Sequence, residues 1–242
     1  EGRKAYVTRT HVDYYTDAID YTRLKVLESF AQAVTGVGQV HHGEVHVVRR
    51  VSGYKKIRFH THENIGYGPV TLPDQELHTT ALWWQLPQSV LEAAFDSRHA
   101  ALDGFLGASH LLHLVAQVSV MAEGRDLHKA VGSGDGAWFA SGESRGRGTL
   151  RGAEGEAGDP DKLPVFTPTL YLYDNHPGGI GLSAPLFERR EELVARAQAL
   201  VADCDCKAGC PACVGPILAS DEDSGETPKA LAQRVLALLV TP

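Results

Sequence analysis

The sequence predicts an α+β fold: a strand-rich N-terminal part over residues 1–87, then a helical part over residues 88–242 that ends in a four-cysteine cluster. Three observations carry this. Apolar and polar residues alternate in short runs up to Pro87, the two-residue period of a half-buried strand. From residue 88 the apolar residues recur at three- and four-residue steps, the period of an amphipathic helix. All four cysteines, Cys204, Cys206, Cys210 and Cys213, fall within ten residues.

Tyr6-Val7-Thr8 is a short β-type run, and Thr22 to Phe30 mixes β-branched with helix-forming residues. Glu44 to Val51 and Tyr54 to His60 flank the turn dipeptide Ser52-Gly53 and predict a hairpin. In its second arm Ile57 and Phe59 share one face, and Lys56, Arg58 and His60 the other. Thr79 to Leu86 predicts a strand that stops at Pro87. Val90 to Phe95 fits a short helix. Ala101, Leu102, Phe105, Leu106, Leu112, Val115 and Val118 then mark a well-buried helix of several turns.

A glycine-rich loop is expected near 130–164, with nine glycines between Gly132 and Gly158 and only Trp138 and Phe139 as anchors. Thr169 to Tyr173 predicts a strand, followed by a turn at Asp174-Asn175-His176-Pro177-Gly178-Gly179. Phe187 to Val201 predicts a helix running into the cysteines. The last helix has Thr227 as N-cap and Pro228 at its first position, followed by Leu231, Val235 and Leu238.

The cysteines read C-x-C-x3-C-x2-C. Four thiols in one short loop, with none elsewhere, predict a metal site in a reducing compartment, and so a cytoplasmic protein. Tetrahedral Zn2+ is the expected ion; an iron–sulfur cluster or a dithiol redox pair would also use such thiols. Four thiolates leave no open position for water, so the zinc would be structural. Lys207 is placed to offset part of the negative charge of the thiolates.

The chain has 242 residues and a net charge of −7, with 43% hydrophobic and 22% charged residues, an ordinary globular composition. No apolar run reaches the roughly 18 residues of a membrane span. The charge is uneven: residues 1–60 carry +4 and residues 61–242 carry −11. Phosphate affinity is therefore expected near the N-terminal end, at Arg49, Arg50, Lys55, Lys56 and Arg58, with Tyr54 and Tyr67 available to stack bases. A GxxxxGK[ST] loop, GxSxG and HExxH are all missing. Asp174 and His176 are the remaining acid–base candidates, and a tight turn explains both. The histidine groups His41/His42/His46 and His110/His113 read as satisfied or solvated faces.

Tyr14-Tyr15-Thr16, Gly66-Tyr67-Gly68, Trp83, Arg125-Asp126-Leu127, the run Tyr173 to Gly181 and the segment Gly209-Cys210-Pro211-Ala212-Cys213 together resemble the C-terminal region of MrfA/YprA-type DEAD/DEAH-box helicases. The resemblance implies a four-cysteine zinc-binding domain within a 3′-to-5′ ATP-dependent DNA helicase of DNA repair. It also implies that the ATP-hydrolysing motor domains lie outside this chain. The chain, which begins at Glu1, then reads as a piece of a longer protein and not as an enzyme by itself. The partners implied are DNA, in single-stranded form, and the motor domains in cis. A protein-interaction or scaffold module without nucleic-acid contact is the alternative.

Overall fold

An antiparallel sheet of seven strands is combined with five helices, as found in a computed structural model that describes residues 6–61, 63–133, 139–140, 168–215 and 225–240. In chain order the strands are β1 (Tyr14–Thr35), β2 (Gly38–Arg58), β3 (Asn64–Pro69), β4 (Gln75–Gln85), β5 (Leu127–Ser133), β6 (Phe139–Ala140) and β7 (Pro168–Asp174). The helices are α1 (Gln88–Ala94), α2 (Arg98–Val120), α3 (Ser183–Glu188), α4 (Arg190–Asp203) and α5 (Pro228–Leu238). The strand order is β5-β7-β4-β2-β1-β6, with β3 added to β2. The class is α+β, as expected. The sheet does not stop at residue 87, however: β7 pairs with β4 and β5 with β7, so the helical part supplies strands to the same sheet.

β1 and β2 are a single hairpin of 22 and 21 residues that turns at Gly36, where φ is +53°. The turn expected at Ser52-Gly53 is not one. Both residues lie inside β2, where β1 pairs Ile19 with Gly53 and Asp20 with Val51, so Ser52 is the extra residue of a bulge. A turn dipeptide inside a strand marks a bulge when both flanks find partners, and here β1 and β3 supply them. β4 follows β2 only over Gln39–Arg49. Beyond Arg49 the chain leaves the main sheet as a three-stranded arm of β1, β2 and β3, about 30 Å long. Residues 6–12, where a short β-run was expected, form no strand.

Alternation along the central strands gives the sheet two apolar faces. Val40, Leu82, Trp84, Leu170 and Leu172 meet the helices, and Leu24, Val45, Val47, Ala81, Trp83, Tyr171 and Tyr173 cluster on the other side. The helix face holds the larger core, with Phe105, Leu111 and Leu112 of α2 and Leu231, Val235 and Leu236 of α5 almost fully buried. α2 begins at Ser97, whose side chain accepts from the Ala100 N–H, and ends at Met121 in the left-handed region. The predicted final helix begins as expected: Thr227 caps the Ala230 N–H and Pro228 opens α5. The helix expected over 187–201 is two, α3 and α4, broken at Arg189. Of the glycine-rich segment, residues 130–133 lie in β5 and 139–140 are β6; the rest lies outside the described residues.

Candidate metal centre

Three elements converge on the cysteine loop. α4 ends at Asp203 and its C-cap is Cys204 in extended conformation, so the helix delivers the first thiol directly. Cys210 to Cys213 is a tight knuckle, closed by Cys213 N–H to Cys210 O at 3.0 Å and Val214 N–H to the same oxygen at 3.0 Å. The Cys210 N–H also donates to Cys213 Sγ at 3.3 Å, which fixes the direction of that sulfur. α5 closes the site from its N-terminal turn, its Lys229 N–H donating to Ala208 O at 3.0 Å.

The four sulfurs form a compact cluster. Cys204–Cys206, Cys204–Cys210, Cys206–Cys213 and Cys210–Cys213 are 3.5, 3.7, 3.5 and 3.6 Å apart, and every pair lies within 4.8 Å. A zinc ion with thiolates at about 2.3 Å requires sulfur–sulfur edges of about 3.8 Å. A disulfide requires about 2.05 Å, and all four cysteines are free. The cluster therefore fits one metal ion. Cys213 is buried and the other three are half-buried. The Cys213 backbone N–H pulls the Cys210 thiol down to about 7, whereas burial pushes Cys213 up to about 12. A bound cation would resolve this by expelling the thiol protons.

Two residues around the loop carry no signal in a motif search. Lys229 Nζ donates to Cys204 O at 2.6 Å and to Cys206 O at 3.0 Å. Lys207, the cation expected from sequence, is exposed. His110 of α2 packs beside the loop, where a Cβ added to Gly215 would meet its ring at 3.2 Å, and burial pulls its pKa down to about 4. Only the fold brings residues 229 and 110 to the loop. His113, one turn further along α2, bonds Leu127 O at 2.7 Å, whereas His110 Nδ1 is buried without a hydrogen-bond partner among the described residues, so of this pair only His113 is the satisfied histidine expected.

The acid–base candidates separate. Asp174 is buried, and its Oδ2 accepts from the N–H groups of Ile180, Gly181 and Leu182 at 2.8, 2.9 and 3.1 Å. Gly178 N–H goes to His78 O and Gly179 N–H to His176 O. The N–H groups of the glycine turn are thus spent within the fold and cannot cradle a phosphate. His176 bonds Asp126 at 3.0 Å instead, and that bond holds the Asp126 carboxyl below its usual range.

The basic residues on and beside the arm also differ among themselves. Arg49 Nε meets the buried carboxylate of Asp20 at 2.5 Å. Arg50 forks onto Asp74 at 2.9 and 2.8 Å. Arg58 bonds Glu63 at 3.1 Å and lies 3.6 Å from Asp13. Lys55 is buried, in register with Asp17 and Tyr67. Lys56 Nζ sits 5.3 Å from the Tyr14 ring centroid. Tyr54 lies over Gly68, where an added Cβ would meet its ring at 2.4 Å. Tyr15 and Phe59 are 5.7 Å apart, and Tyr67 is 68% exposed.

This geometry has four likenesses among known proteins. Residues 108–214, from mid-α2 through the last cysteine, match the family model described as the MrfA Zn-binding domain. Over 215 residues the chain is 33% identical to an uncharacterized ATP-dependent helicase, YprA, of Bacillus subtilis strain 168, covering 89% of this chain and 25% of that protein. A crystal structure of the helicase MrfA bound to DNA superposes with a TM-score of 0.59 at 29% identity, over 98% of this chain and 27% of that one. The chain spans about a quarter of the length of these helicases. A stretch of 45 residues is 36% identical to an uncharacterized protein of Methanocaldococcus jannaschii, covering 19% of this chain and 40% of that protein.

Proposed function

We propose, from the premise that residues 108–214 carry an MrfA-type zinc-binding domain, that this chain is the accessory module of an MrfA/YprA-type ATP-dependent DNA helicase. Cys204, Cys206, Cys210 and Cys213 hold one structural Zn2+, which supplies a fixed joint between α4 and α5. The observation that carries this reading is the cluster of four sulfurs, all within 4.8 Å of one another. The arm of β1, β2 and β3 guides single-stranded DNA as the motor domains of the parent protein move 3′-to-5′ during DNA repair.

The contacts on the arm follow from the energetics of its ion pairs. Exposed pairs are worth about 0–1 kcal/mol, so Arg50 and Arg58 can exchange a carboxylate for a phosphate at little cost. Arg49 is paired with the buried carboxylate of Asp20, a group that is costly to leave short of a partner, so Arg49 serves the fold. Buried Lys55 supports the arm from within. Lys56, Arg50 and Arg58 then contact phosphates, with Tyr54 beside them, and Tyr67 is the ring free to stack a base.

Metal content and DNA affinity test the two halves separately. The purified chain is expected to hold one zinc per chain; iron would overturn the metal assignment. Single-strand affinity should fall with salt, and Lys56→Glu with Arg58→Glu should weaken binding and flatten the salt slope by about one unit per lost phosphate contact. An unchanged slope would favour a scaffold role instead. The exposed apolar Leu27, Phe30 and Val34 along β1 support that second reading. Capture of the separate motor domains without DNA binding would then decide for it.

A further inference from the structure

We infer that Lys229, at the start of α5, is a positioning residue of the metal centre: its ammonium group holds the Cys204–Cys206 half of the loop in the ligating conformation and offsets the charge of the thiolate shell. The inference rests on the reading that the four cysteines bind zinc.

The two halves of the loop are held by different means. The Cys210–Cys213 knuckle closes on itself through backbone bonds to Cys210 O and through the N–H to sulfur contact at Cys213. Cys204 and Cys206 have no such knuckle. Cys204 has already left α4, and a two-residue spacing cannot form the same turn. The main-chain carbonyls of both residues instead converge on one point, Lys229 Nζ, at 2.6 and 3.0 Å. The Lys229 N–H takes a third carbonyl, Ala208 O, at 3.0 Å. A single residue thereby fixes three carbonyls between positions 204 and 208.

Lys229 is itself held rigidly. It is the second residue of α5, whose Thr227 cap and Pro228 set the direction of the helix start, and it is half-buried. Its charge has the sign the site requires. A divalent ion with four thiolates is a net dianion, and a cation bonded to the carbonyls of two of its ligand residues lowers the cost of assembling that charge. The positive end of the α5 dipole adds to the same effect. Lys207, nearer in sequence to the sulfurs, is exposed and makes no comparable bonds among the described contacts.

The test is the rate at which zinc passes from the protein to a chromophoric chelator, after the wild-type chain is shown to hold one zinc per chain. A wild type without zinc would sink the metal reading itself. Lys229→Met is expected to speed release by about 10-fold or more, the usual scale for loss of an outer-shell partner. Lys229→Arg should recover most of the loss. Lys229→Gln, which keeps a donor and loses the charge, should lie between them. Lys207→Met should release zinc at the wild-type rate. Circular dichroism of the zinc-loaded variants checks that each has the wild-type fold. Should Lys229→Met fail to fold, the Lys229→Gln rate decides. Release from Lys229→Met, or from Lys229→Gln in that case, at the wild-type rate overturns the proposal; so does equal acceleration by Lys207→Met.

Discussion

Single residues here serve structure through bonds that their type alone does not announce. Asp174 was a possible acid, yet its carboxylate is the acceptor that shapes the glycine turn. Gly179 has φ of +74° and lies where a Cβ would meet Thr80 Oγ1 at 2.5 Å, so the turn admits no side chain there. His113 shows what burial does to a titratable group. Its desolvation pulls the pKa down to about 4, against the bond to Leu127 O. The unfolded chain binds a proton below about pH 6.5 that the folded chain refuses. Stability from this group is therefore complete above about pH 6.5 and is lost progressively as pH falls toward 4. His113 should account for about 2 kcal/mol of the loss that urea titrations show across that window, after allowance for partial solvation, and His113→Gln should reduce the slope there without abolishing it, because His110 titrates over the same range.

At the scale of elements, the contact between α2 and α5 depends on two missing side chains. A Cβ on Gly104 would come within 2.8 Å of Leu231 O, and one on Gly107 within 2.8 Å of the Ala232 Cβ. Glycine inside a helix costs about 1 kcal/mol relative to alanine, so an exposed position would gain from the exchange. Here the added methyl meets backbone, and overpacking of this kind costs about 1–3 kcal/mol. Gly104→Ala should therefore lower the unfolding midpoint and not raise it; a rise would show that the helices can part without loss. The hairpin of β1 and β2 teaches a related lesson. Ser52-Gly53 has the composition of a turn, but pairing on both flanks outweighs that local preference.

Across the whole molecule, α5 is a strut between the metal loop and the sheet. Its first turn holds the loop through Lys229, and its C-terminal carbonyls accept from Val37 N–H at 3.1 Å and Thr35 Oγ1 at 2.5 Å in the turn of the β1–β2 hairpin. Its Arg234 donates to Ala94 O at 3.0 Å and forks onto Glu226. Structural zinc contributes about 10–16 kcal/mol in small peptides, against a total of about 5–15 kcal/mol for a typical domain. Chelation should accordingly lower the melting temperature of the whole chain in one cooperative step, read by circular dichroism. A melt that loses only the loop signal while the sheet transition stays in place would show that α5 does not couple them. Thiolates must shed their protons to ligate, so metal affinity should also fall as pH falls.

Much of this was legible in the sequence, and the reason is locality. The C-x-C-x3-C-x2-C spacing, the N-cap at Thr227, the periodic apolar residues of α2 and the strand before Asp174 are each set within a few residues, and each is found where expected. The four-cysteine spacing alone pointed to a shared metal site, and the four sulfurs do lie within 4.8 Å of one another. What only the tertiary structure decided depends on residues far apart in the chain. It joined the two expected parts in one sheet through β5 and β7, and turned a short hairpin into a long arm. It brought Lys229 to the carbonyls of the metal loop, left Lys207 of that loop exposed, and gave Arg49 a buried carboxylate partner. Charge and composition count the cations; which of them meet a carbonyl, a carboxylate or solvent is fixed only when strands and helices pack.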